Sequence, residues 1–218
     1  QKTIHKVANS IIAFQRDFLR PDNATILVTG AVTPATILPL LERHFGDWQP
    51  PAGLSPARAA MAAATGSSGT RVYLLDRPGA PQTSILAGQL MPSSLAPDRI
   101  ELNTANDVLG GTFTSRINMN LREDKHWSYG AQSVLIDTRG QRPFIVYAPV
   151  QTDKTRESMA EIRRELTEYL GDNPATDDEM NKVKANNTLS LPGRWETGAA
   201  VLRDIGEIVD FDLDDNYW

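Results

Sequence analysis

Residues 109–130 read LGGTFTSRINMNLREDKHWSYG. Gly110 and Gly111 end one helical run and Ser115 opens the next. On the helix expected over 115–124, Ile117 and Leu121 share one stripe. Arg122 lies about 140° from Ile117 at ~100° per residue, so it flanks the packed face instead of joining it. Tyr129 then opens a strand, SYGAQSVLI. A guanidinium and a phenol are thereby placed at the two ends of one helix-to-strand turn. Both groups donate hydrogen bonds, so together they can grip a peptide carbonyl or an oxyanion formed from it. Spacing alone favours a plainer arrangement, with Arg122 paired to an acid and Tyr129 packed in the core with its hydroxyl at the surface.

Working outward, the upstream IIAFQRDFLRPDN puts Ile11, Phe14 and Phe18 on one helical face and stops at Pro21. ATILVTG is rich in β-branched residues and reads as a short strand ended by Gly30. TPATILPLLERHFGDW is a helix with Thr33 as N-cap, Pro34 at its first position and Gly46 past its end. Residues 49–70 shift abruptly to Ala, Pro, Gly and Ser, the composition of a linker or long surface loop. Two strands, RVYLLD and TSILAGQL, follow, and then a helix, PDRIELNTANDVL. Beyond the central stretch lie a second pair of strands, SYGAQSVLI and PFIVYAPV, joined by the turn DTRGQR, and the helix DKTRESMAEIRRELTEYL. That helix aligns Met159, Ile162, Leu166 and Tyr169, with Asp153 as its expected N-cap. Thr176 and Glu179 form a capping box for the helix after it. The order predicts an α+β fold with helices packed on one face of a largely antiparallel sheet.

Composition narrows function. The chain has 218 residues, 40% hydrophobic and 22% charged, with net charge −5 and three histidines but no cysteine. The negative balance argues against nucleic acid or an anionic membrane as partner. No run approaches the ~18 apolar residues of a membrane span. Disulfides and thiolate metal sites are excluded. His5, His44 and His126 are far apart, and none belongs to the H-x-x-E-H spacing that presents two imidazoles to zinc, so no metal site is expected in this chain. There is no G-x-S-x-G elbow and no P-loop. The glycosylation tripeptides at Asn23 and Asn186 carry no weight.

Two separated motifs carry a resemblance. LGGTFTSRINMNLREDKHWSYG resembles the Leu-Gly-Gly…Ser-Arg…Leu-Arg-Glu…Tyr signature of the insulinase/pitrilysin family of zinc peptidases, which includes mitochondrial processing peptidase. FLRPDNATILVTGAVTPATILPLLERHFGDW is similar to that family's Tyr-x-Pro-x-Asn, strand, Gly-Asp-Val, helix, Phe-Gly stretch. The similarity runs over roughly residues 8–190 and points to the domain called inactive. It implies a metalloprotease-like LuxS/processing-peptidase fold, in which four such domains enclose a clam-shell chamber. It implies zinc held by a complementary domain or subunit, an Arg/Tyr pair from the opposite half that assists catalysis, and peptide or protein substrates bound as an added strand. By position in the motif the pair is Arg122 and Tyr129, for catalysis and substrate binding alike. Bacterial relatives are often envelope proteins, which implies a periplasmic or cell-envelope location.

The sequence departs from the family pattern in two places. Gly30-Ala31-Val32 stands for Gly-Asp-Val, and His126-Trp127-Ser128 stands where Gly-Leu-Ala precedes the tyrosine. A histidine in place of that glycine needs a turn without positive φ, or a strained one. Trp127, Ile117 and Met119 read as packing residues, and the acidic stretch 204–215 as a solvated helix face. Residues 1–190 are expected to form one peptidase-like domain, with 191–218 a helical, acidic segment leading to a continuation. The leading expectation is the substrate-binding half of a zinc endopeptidase, inactive by itself. The alternatives are a non-catalytic interaction subunit that kept the fold, and an α+β module whose Arg–Tyr edge binds a small carboxylate.

Overall fold

A computed structural model describes residues 2–53, 62–65 and 69–217, with side chains from Val7 onward. The chain forms two compact units: residues 1–61 with 192–218, and residues 62–191. The first contains α1 (Lys2–Phe18), α2 (Pro34–Phe45) and α7 (Gly198–Phe211). Thr33 caps α2 through a box closed with Thr36, and Pro34 occupies its first position. Segment 24–29, expected as a strand, pairs with no strand among the described residues, and its Ile26 and Val28 are 48% and 44% exposed. β-branched composition favours extended backbone, but a ladder also needs a neighbouring strand. Asp204, assigned to a solvated face, is instead 3% exposed. It accepts from Arg194 Nε at 2.7 Å and from Trp195 Nε1 at 2.7 Å, and a carboxylate can be buried only with such donors.

The second unit is α+β. Its sheet has the antiparallel order β1–β3–β2, built from β1 (Gln82–Ser93), β2 (Gln132–Leu135) and β3 (Gln141–Gln151). Alternation decides its faces. Phe144, Val146, Ala148 and Val150 of β3 point into one core with Ile85 of β1, beneath Leu109, Ile117, Leu121 and Ile162 from the helices. The opposite face keeps Leu86, Val134 and Tyr147 partly in water. RVYLLD, expected as a strand, is likewise unpaired among the described residues, and Val72 to Leu75 are 71–89% exposed.

The helical layer holds α3 (Arg99–Asn106), α4 (Arg116–Asn118), α5 (Thr155–Tyr169) and most of α6 (Asp177–Arg194). α3 widens into a π-turn at Asp107–Gly111, and α4 does so at Met119–Asp124. α5 begins at Thr155 with Lys154 at its N-cap position. Asp153 therefore does not cap it, because a 3-10 turn at Thr152–Lys154 takes up that corner. Ile162 is buried, and Leu166 and Tyr169 pack on the core as expected. Met159 and Met119 are 44% and 38% exposed, so neither is a core residue. At one end of the sheet the buried guanidiniums of Arg99 and Arg142 share Asp137, at 2.9 and 3.2 Å.

Gly110 shows why the first π-turn needs glycine. A Cβ there would lie 2.7 Å from the backbone nitrogen of Ser133 on β2, and neither backbone can yield. Gly110→Ala should lower unfolding free energy by at least about 1–3 kcal/mol in denaturant titration, the range for overpacking. Gly130→Ala, whose Cβ would meet only Asn118 Oδ1 at 3.8 Å, should be far milder.

Arg116 ties α4 to α6, with Nε and Nη2 donating to Glu179 at 2.7 and 2.6 Å. Glu179 also accepts from the Thr176 amide at 2.8 Å, which closes the capping box. Arg116 first, with help from Thr176 against the cost of burial, lowers the Glu179 carboxyl from 4.5 to about 2. A depressed acid stabilises the fold fully above its unfolded value and loses that contribution as pH falls towards the folded one. Glu179→Gln should therefore flatten the stability–pH curve between pH 4.5 and about 2, read by thermal unfolding.

Candidate functional site

The central stretch closes on itself through one carbonyl. Leu121 O accepts from the amides of Trp127 and Ser128 at 3.0 and 3.3 Å. Arg122 is the first residue inside that closed loop, and Tyr129 is the first residue past it. His126 makes the turn at φ 56°, the left-handed region, so of the two routes open to a histidine here the chain takes the strained one. Its ring Nδ1 lies 3.0 Å from the Arg122 carbonyl oxygen, which only accepts, so the proton of this contact sits on Nδ1. Trp127 packs against the core.

Tyr129 does not continue a regular strand. Ser128 faces Val150 and Gln132 faces Tyr147, so four steps along this edge answer three along β3. The extra residue makes a bulge at 129–131. Such an insertion interrupts the ladder and re-aims a side chain. Ser128 steadies it, its hydroxyl accepting from Gly130 N at 3.1 Å and lying 2.6 Å from the Pro149 carbonyl oxygen, to which it donates. The Tyr129 side chain is consequently in solvent, 89% exposed.

Arg122 lies on the π-turn that ends α4, its side chain 35% exposed. Its guanidinium carbon sits over the Phe113 ring, 4.4 Å from the centroid. Nε is 3.4 Å from Glu123 Oε1. Neither Arg122 nor Tyr129 is sealed beneath neighbouring residues, which is the requirement for reaching a bound chain.

Asn118 joins these parts. It is 4% exposed. Its Nδ2 donates to the Phe113 carbonyl at 2.6 Å and its Oδ1 accepts from Ala131 N at 3.0 Å. One amide thus ties the loop under Arg122 to the strand leaving Tyr129. Sequence reasoning passed over it, although a polar residue between Ile117 and Leu121 on the packed side was the available signal. Phe113 gave none, since it sits in a loop with no periodicity.

Among the described residues no group of three or more His, Asp or Glu side chains could hold a metal ion. His44 and His126 are exposed and belong to different units, and the side chain of His5 is outside the described residues. The donors described here do not make a zinc site.

Residues 6–187 match the family model described as the peptidase M16 inactive domain, and the chain belongs to that family, the insulinase peptidases. No curated protein sequence matches it. Among solved structures it is similar to a protease from Helicobacter pylori, with TM-score 0.82 and 20% identity over 94% of this chain and 49% of that one. It is also similar to a peptidase M16 inactive domain from Pseudomonas fluorescens, with TM-score 0.57 and 23% identity over 62% of this chain and 32% of the other. The periplasmic protease PqqL from Escherichia coli gives TM-score 0.61 and 16% identity over 84% and 20%. At these identities the likeness is one of fold, and the chain spans half or less of each of these relatives.

The two-sided role of Asn118 can be measured. Asn118→Ala leaves the Phe113 carbonyl and the Ala131 amide without their partner, so unfolding free energy should fall by about 1–3 kcal/mol. Hydrogen exchange at Ala131 N should quicken in the same variant.

Proposed function

We propose that this chain is the substrate-binding half of an insulinase-family zinc endopeptidase. Zinc and the general base are supplied by another domain or by a partner subunit of the same family. The observation that carries the reading is an exposed pair flanking one loop closure, Arg122 over Phe113 just inside it and Tyr129 lifted onto a bulge just past it, within the span that matches the family model. Arg122 and Tyr129 are the catalytic-assistance and substrate-binding residues. Each donates to the scissile carbonyl, and more strongly as that oxygen gains charge during attack, which is the differential stabilisation that lowers a barrier. The polypeptide substrate binds as an added strand through its main chain, and side-chain selectivity is modest. By itself this chain should hydrolyse nothing, because the Lewis acid that polarises the carbonyl and the general base belong to the other half.

A periplasmic or cell-envelope location belongs to the same proposal. It is supported by the described location of the Escherichia coli relative.

The test is hydrolysis of a quenched-fluorescent peptide library by the complete protein with its zinc-bearing half. Arg122→Ala and Tyr129→Phe should each lower kcat about 10²–10³-fold, the effect of deleting one preorganised oxyanion donor. If both variants keep wild-type kcat/KM, the catalytic role is wrong. If the complete assembly hydrolyses no peptide yet binds its partner tightly, it is an interaction subunit.

A further inference from the structure

An arginine side chain loses much rotamer freedom when it is held to one pose, and a loosely held donor contributes little to a transition state. The structure offers Arg122 two restraints. The first is Glu123, its sequence neighbour, at 3.4 Å with both side chains more than a third exposed. Such a pair is weak, and it reaches the guanidinium only through Nε, one of the donors a substrate would use. The second is the ring of Phe113, 4.4 Å away. A guanidinium over an aromatic face is held through its π-face and keeps its N–H edge available for hydrogen bonds.

Phe113 is suited to that task and to little else. At 64% exposure its ring adds little to the core. Its backbone, by contrast, is anchored. Asn118 Nδ2 donates to its carbonyl at 2.6 Å, and the flanking turn is closed by Ser115 N donating to Thr112 O at 3.1 Å. An exposed aromatic on a fixed mount is a platform, and the same asparagine sets the strand that carries the Tyr129 bulge.

We propose that Phe113 is the positioning residue of this site, its ring holding the Arg122 guanidinium in the pose that meets a substrate carbonyl. The catalytic part of this inference rests on the reading of Arg122 given above. The contact itself does not.

The experiment uses the complete protein, labelled with 15N-arginine, and the variants Phe113→Leu, Phe113→Tyr and Arg122→Ala, with Phe113→Leu also placed in the Arg122→Ala background. In the wild type the ring current should shift the Arg122 Nε–Hε proton upfield. Phe113→Leu should abolish that shift and speed guanidinium rotation, and Phe113→Tyr should retain both properties. In peptide hydrolysis Phe113→Leu should lower kcat about two- to fivefold, the size of a partly exposed cation–π contact, with KM changing less. Phe113→Tyr should restore kcat, and Phe113→Leu should cost nothing further once Arg122 is alanine. An Arg122 resonance unmoved by Phe113→Leu overturns the inference, as does a kcat loss that persists in the Arg122→Ala background. If the resonance moves as expected while Arg122→Ala leaves kcat/KM intact, the contact stands and the catalytic reading of Arg122 falls.

Discussion

The candidate site depends on a buried amide. Asn118 is enclosed between the loop at Phe113 and the strand at Ala131, and each of its two ends satisfies a backbone group there. Apolar packing of Ile117 and Leu121 presses α4 onto the sheet, but packing is non-directional and tolerates sliding. Two hydrogen bonds made by the two ends of one rigid amide do not. They set the loop-to-strand geometry that leaves Arg122 over an aromatic ring and Tyr129 on a bulge.

The surrounding irregularities serve the same corner. The π-turn at Asp107–Gly111 lets Gly110 approach the backbone of Ser133. The π-turn at Met119–Asp124 carries Arg122, and His126 adopts a left-handed conformation to bring the chain back. Departures from ideal geometry cost free energy and persist where the surroundings over-determine them. Here four of them, counting the bulge before Gln132, fall between residues 107 and 132. Elsewhere in the unit, β1 shifts register between Met91 and Ser93. Arg116 with Glu179, and Asp137 with its two arginines, tie the helices to one another and to the sheet.

Both units leave apolar chain in solvent. Val72 to Leu75 and the exposed sheet face at Leu86 and Tyr147 are in the second, and Ile11, Phe14 and Phe18 of α1 are in the first. Exposed apolar patches of this kind are, as a class, where proteins meet other protein surfaces.

Much of this could be read in the residues themselves. Period and caps located α2 and the Thr176–Glu179 box, period alone located α5, and PFIVYAPV was legible as the strand that is β3, because these signals depend on neighbours a few positions away. The family motif singled out Arg122 and Tyr129. Tertiary structure decided the rest. ATILVTG and RVYLLD have the composition of strands, yet pairing needs a partner that composition does not supply. Asp204 lies in an acidic run, yet Arg194 and Trp195 draw it inside. Phe113 and Asn118 gain their meaning only when a loop, a helix and a strand converge, since a hydrogen bond or a ring contact is set by distance in space and not by spacing along the chain.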